Sequence, residues 1–113
     1  HLLGVVQLQE SRFAEAADSF QQSIANGNPY PGDQTLLMQA LVLAGMAKDA
    51  QAVAEAGPKD NLTAAHIAWW ARAAWESGDV DSAKQLIGLL EEGDKYAGPG
   101  WVAGLADRIY SAN

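Results

Sequence analysis

The 113-residue chain contains no cysteine. Disulfides, thiol chemistry and Cys-ligated zinc are excluded, while the redox compartment stays open because disulfide-free domains occur everywhere. Cations are scarce: seven Lys and Arg stand against fourteen Asp and Glu, a net charge of −7. Nucleic acid and an anionic membrane surface are therefore not expected as partners, since both need clustered positive charge. The histidines are only two, His1 and His66. With no Ser in a G-x-S-x-G frame, nucleophilic catalysis has no candidate group, and the chain is not expected to be an enzyme. No apolar run reaches the roughly 20 residues needed to span a bilayer. Proline is sparse too: Pro29, Pro31, Pro58 and Pro99 each stand beside Gly or Asn, marking joints rather than the interiors of elements.

What is present is apolar side chain, about half of the sequence, enough for one compact core but not two. The chain opens without Met on His1-Leu2-Leu3-Gly4, which reads as the inside of a helix. A fragment of a longer protein is expected, and its compartment is not legible.

Internal similarity organises the rest. Ser11-Arg12-Phe13-Ala14-Glu15-Ala16, Gly45-Met46-Ala47-Lys48-Asp49-Ala50 and Gly78-Asp79-Val80-Asp81-Ser82-Ala83 align. Both the leading small residue and the closing alanine recur after 34 and then 33 positions. The same register extends back to Leu3-Gly4, Leu37-Met38 and Trp70-Ala71, and forward to Phe20, Ala54 and Ile87. These are helical spacings on either side of a turn, so each unit is predicted to be a helical hairpin. Helices are expected over 1–9, 12–25, 33–44, 47–56, 62–77, 80–92 and 101–111, with Asp33, Asn61 and Asp79 as N-caps. The last carries Trp101, Val102, Leu105 and Ile109 on one face, and Gly104 lies one period past Ala71.

Leu3-Gly4, Ala16-x3-Phe20 and Pro29 in the first unit, with the alanine column at this period, resemble the tetratricopeptide repeat family. Met38, Ala54 and Trp70 depart from its pattern. The resemblance implies an all-α fold, an α-solenoid of antiparallel hairpins wound into a right-handed superhelix. Residues 1–113 would form one domain, with repeats over 1–30, 31–60 and 61–94 and a terminal or capping helix over 100–112. It also implies a protein–protein interaction module, in which the first helix of each hairpin lines a concave groove for a peptide or partner segment. On that face stand Val5 and Gln9, Gln39 and Leu43, and Arg72 and Glu76, beside an apolar row of Leu8, Val42 and Trp75. Arg72 is the one cation at these positions, so a clamp for a peptide's C-terminal carboxylate is disfavoured, and RNA-reading repeats suit neither the period nor the charge. A structural spacer, self-associating by end-to-end stacking into a homo-oligomer, is the alternative.

Position divides the tryptophans of His66-Ile67-Ala68-Trp69-Trp70-Ala71-Arg72-Ala73-Ala74-Trp75. Trp70 shares the column of Leu3 and Leu37 and is expected inside the hairpin; Trp69 is expected to pack toward the preceding unit. Trp75 is the candidate contact. Tyr30 and Trp101 are expected as staples, and His66 as a partly exposed helical residue. Asp79-Val80-Asp81 does not open a calcium loop, because Lys84 stands where Gly is needed and Leu90 where a carboxylate is. Glu91-Glu92-Gly93-Asp94 reads as a solvated acidic helix end, and Asn61-Leu62-Thr63 as a capping segment that happens to spell a glycosylation sequon. No metal or cofactor is expected.

Overall fold

A computed structural model describes residues 2–27, 32–57, 59–60 and 62–112. The described residues form α1 (Leu2–Gln9), α2 (Phe13–Ala25), α3 (Asp33–Leu43), α4 (Ala47–Ala56), α5 (Ala64–Glu76), α6 (Val80–Leu90) and α7 (Val102–Ser111). A two-residue ribbon, β1 (Glu91–Glu92) against β2 (Lys95–Tyr96), lies between α6 and α7. The fold is all-α apart from that ribbon, and each helix falls within two residues of its predicted bounds.

Backbone chemistry explains why the hairpins turn where they do. Ser11, Gly45 and Gly78 sit in the left-handed region, with φ of 61°, 80° and 89°. Immediately after them, the N–H groups of Arg12, Met46 and Asp79 donate to the carbonyls of Gln7, Leu41 and Ala74, each at 2.8 Å. This is the left-handed C-terminal cap that satisfies otherwise orphaned helix carbonyls. It occurs at three places in one register, so the period seen in side chains is also a period in backbone hydrogen bonds. Asp79 then caps α6, accepting from the Ser82 N–H at 3.2 Å.

The side-chain columns follow from these turns. Ala16, Ala50 and Ala83 are fully buried, as are Phe20 and Ile87, with Ala54 nearly so. Gly4, Met38 and Ala71 are buried on the facing helices. A Cβ built on Gly4 would lie 2.8 Å from the Phe20 ring, so the large ring of α2 requires the missing side chain of α1. Sizes are exchanged in the second unit, where Met38 and Ala54 occupy the same two columns in one cluster. The departure from the repeat pattern thus conserves volume, the kind of exchange that cores tolerate best.

Each helix packs on the next along the chain, and α3 also packs on α5 and α5 on α7. Two apolar clusters result. One joins α1 to α4 with Trp69 and Ala73; the other joins α5 to α7. Trp70 and Trp101 pack against both. Trp70 is therefore half-buried at the seam rather than enclosed within its hairpin, because an indole exceeds the space that Leu37 fills in the same column. Leu3 also departs from expectation: it is 60% exposed, since no described helix lies on that side of α1.

Three further expectations are corrected. Asp33 is the first residue of α3 rather than its cap; Gly32, with φ of 85°, precedes it, and Asp33 is buried, accepting a hydrogen bond from Ser23 Oγ at 3.1 Å. Asn61, like Tyr30 and Pro29, lies outside the described residues, and Thr63 caps α5 by accepting from the His66 N–H at 3.1 Å. Glu91 and Glu92 leave the helix because the chain reverses at Gly93 (φ 68°) and the Ala97 N–H donates to the Leu90 carbonyl at 2.9 Å. Tyr110 Oη donates to Glu91 Oε1 at 2.6 Å, tying α7 to the ribbon; the carboxylate pushes the phenol's pKa up to about 12.

Ser11 alone among the three turn residues holds a left-handed conformation with a Cβ. Ser11→Gly should stabilise the fold by about 0.5–1 kcal/mol, and Gly78→Ala should destabilise it by about 1 kcal/mol. Urea denaturation measures both; the two shifts must have opposite signs.

Candidate functional site

Arg72, Trp75 and Glu76 occupy the last turn and a half of α5, and α7 crosses beside them. A cleft of about 320 Å³ lies between the two helices, lined by Arg72, Trp75, Glu76, Trp101, Leu105 and Arg108. Its α7 wall exists because Val102, Leu105 and Ile109 are buried against α5 and α6, leaving Arg108 on the adjoining exposed face. The apolar stripe of α7 is thus used within the domain. Gly104 is exposed and meets nothing on its open side among the described residues.

Arg72 organises the cleft. Its Nε donates to Glu76 Oε2 at 2.8 Å, the i,i+4 pairing that helix geometry favours. Its guanidinium lies over Trp69 at 5.1 Å and over Trp101 at 5.4 Å, and the two indoles meet edge to face at 4.9 Å. A cation held by two ring faces and a carboxylate has little rotameric freedom. Trp69 is buried in the cluster of the first two hairpins, as its position led one to expect. Trp101 packs against both clusters, the stapling role expected for it, and it also lines the cleft, where the expectation was a staple and not a site.

The other sequence candidates lie elsewhere. Val5 and Gln9 are on α1, and Gln39 and Leu43 on α3. Val5 and Leu43 are half-buried against the first cluster, Gln39 is half-buried and Gln9 is exposed. None of the four lines the α5–α7 cleft. Conversely, Trp101, Leu105 and Arg108 line the cleft but are not among the site residues that the register of the first three units picks out. The signal was available: Leu105 and Arg108 stand one and four positions past Gly104, as Arg72 and Trp75 do past Ala71.

His66 is buried rather than partly exposed, with only 6% of its surface accessible. Its Nδ1 is 2.8 Å from Thr35 Oγ1 on α3, and its ring meets the edge of Trp70. Its Nε2 is buried without a hydrogen-bond partner among the described residues. Burial lowers its pKa, and the positive charge of Lys59 adds to the effect. Asp79 is held below the usual carboxylate range by Ser82, which donates to it, with a further bond from Gln51. Among the described residues no group of three or more His, Asp or Glu is placed to hold a metal ion, and no helix is long and apolar enough to cross a membrane.

Compared with models of protein families, with curated proteins and with solved structures, the chain matches none.

The lowered pKa of His66 has a defined sign. Below its ordinary value of about 6.5 the unfolded chain takes up a proton that the native state resists. Its contribution to stability is complete above that value and declines as pH falls toward the lowered native value. Stability should therefore drop as pH falls below about 6.5, with a slope from this group of at most about 1.4 kcal/mol per pH unit. His66→Gln should flatten that part of the denaturation profile; an unchanged slope would mean that His66 does not cause it.

Proposed function

We propose that the chain is a tetratricopeptide-like α-solenoid, a right-handed superhelix of three hairpins and a terminal helix, that binds a peptide or protein segment. The first helices of the hairpins, α1, α3 and α5, together with α7, form the concave face. The observation that carries this reading is the α5–α7 cleft: three of the six residues that line it are those picked out by repeat register. In this reading Val5, Gln9, Gln39 and Leu43, on α1 and α3, belong to the same concave face, although none of them lines the cleft. Two indoles, Trp75 and Trp101, and two arginines, Arg72 and Arg108, line the cleft, residue types enriched at recognition hot spots. Binding rather than catalysis is the role it suits, with no cofactor or metal required.

Selection of peptides from a random displayed library on the immobilised chain tests this. Selected peptides should lose about tenfold or more in affinity on Arg72→Glu or Trp75→Ala, and none on Leu89→Ser, on the exposed face of α6. Circular dichroism would verify that each variant is folded. Peptides indifferent to the first two substitutions would contradict the groove assignment.

One observation favours a second reading, a spacer or self-association element. Leu2, Leu3 and Val6 form an exposed apolar stripe along α1, grouped on one helix rather than scattered singly. Light scattering across a concentration range separates the two readings. A constant monomer mass supports the peptide-binding module, whereas a rising mass abolished by Leu3→Glu supports stacking through α1.

A further inference from the structure

The chain has three arginines. Arg12 is tied to Glu10 and Glu15 at the first turn. The other two, Arg72 and Arg108, line one cleft in which Glu76 is the single lining carboxylate. A chain of net charge −7 thus carries a locally positive cleft. Arg72 is committed through Nε alone; its Nη groups make no hydrogen bond among the described residues. Arg108 is exposed and makes neither a hydrogen bond nor an ion pair among them. The forked donors of arginine match a carboxylate with two parallel bonds. Because Arg72 is already held by Trp69, Trp101 and Glu76, little conformational freedom remains to be lost when a partner arrives.

Volume narrows the occupant. At about 320 Å³ the cleft is at the small end of ligand sites. That suits one apolar side chain with flanking charged groups rather than a large ligand. Taking the cleft as the binding surface proposed above, we infer that it selects an acidic peptide segment. Asp or Glu carboxylates of the segment meet the guanidinium groups of Arg72 and Arg108, and an intervening apolar side chain packs on Trp75 and Leu105. The overall negative charge of the chain repels any such segment elsewhere, so this cleft sets both the register and the preference.

The test uses short labelled peptides in which glutamates flank a leucine, the same peptides with glutamine for glutamate, and fluorescence anisotropy at low salt. The acidic peptide should bind more tightly than its amide analogue, and more weakly as salt is raised. Arg108→Gln should weaken it about two- to fivefold, Arg108→Lys should restore part of the loss, and Glu76→Gln should strengthen it by removing the competing carboxylate. Lys95→Gln, which removes one positive charge from the exposed ribbon, should leave binding unchanged. Equal binding of both peptides, each lost on Trp75→Ala, would overturn the acidic preference while leaving the groove reading intact. No binding of the acidic peptide, or equal losses for Arg108→Gln and Lys95→Gln, would overturn the preference outright, and the library selection would then judge the groove by itself.

Discussion

Ala16, Ala50 and Ala83 are each fully buried at the same step past a left-handed turn. A buried alanine at that point lets the second helix of a hairpin approach the first more closely than a longer side chain would allow. The rest of the structure depends on that approach. It sets where Phe20 meets Gly4, and therefore why the first unit combines the largest side chain of one column with the smallest of the other. The same constraint rationalises the second unit, where Met38 and Ala54 exchange sizes in the same columns. Interior packing at crystal-like density is sensitive to the sum of the volumes in a layer rather than to the identity of each member.

Hairpins built this way have short-range contacts, and the clusters they form are joined by few residues. Trp70 and Trp101 pack against both clusters, while Trp69 reaches from α5 into the first. The aromatic run in α5 is thus divided among structural tasks: Trp69 and Trp70 secure the seam between successive units, and Trp75 faces the cleft. Arg72 takes part in both tasks. The indoles that fasten α7 to the domain also fix the guanidinium that the cleft presents, so the proposed site inherits its rigidity from the packing of the seam.

Much of the fold was legible in the sequence because it is governed locally. The left-handed turn residues, the alanine column and the helix spans are properties of segments shorter than one repeat. What escaped depends on residues far apart. His66 is buried because α3 brings Thr35 to its ring, which no spacing within α5 can announce. Asp33 is drawn into the interior by Ser23 of the preceding helix. The ribbon after Leu90 replaces a predicted last turn of helix because Gly93 reverses the chain and Glu91 meets Tyr110. Part of the cleft was legible as well. Arg72, Trp75 and Glu76 follow from the register, whereas Leu105 and Arg108 required that register to be carried past the third unit into α7. Leu3 failed as a core residue because a column buries its members only where a neighbouring helix covers them.

The central claim is that a repeated close approach at the alanine column, rather than general helicity, defines this fold. Comparing the thermal unfolding of Ala50→Leu with that of Ala52→Leu tests it most directly. Both positions lie in α4 and the substitution is the same, so intrinsic helix propensity cancels; only Ala50 is enclosed, while Ala52 is exposed. Overpacking a filled core costs about 1–3 kcal/mol, which in a domain of this size lowers the melting temperature by roughly 4–12 °C. The account predicts that loss for Ala50→Leu and almost none for Ala52→Leu. Equal melting temperatures for the two variants would contradict it.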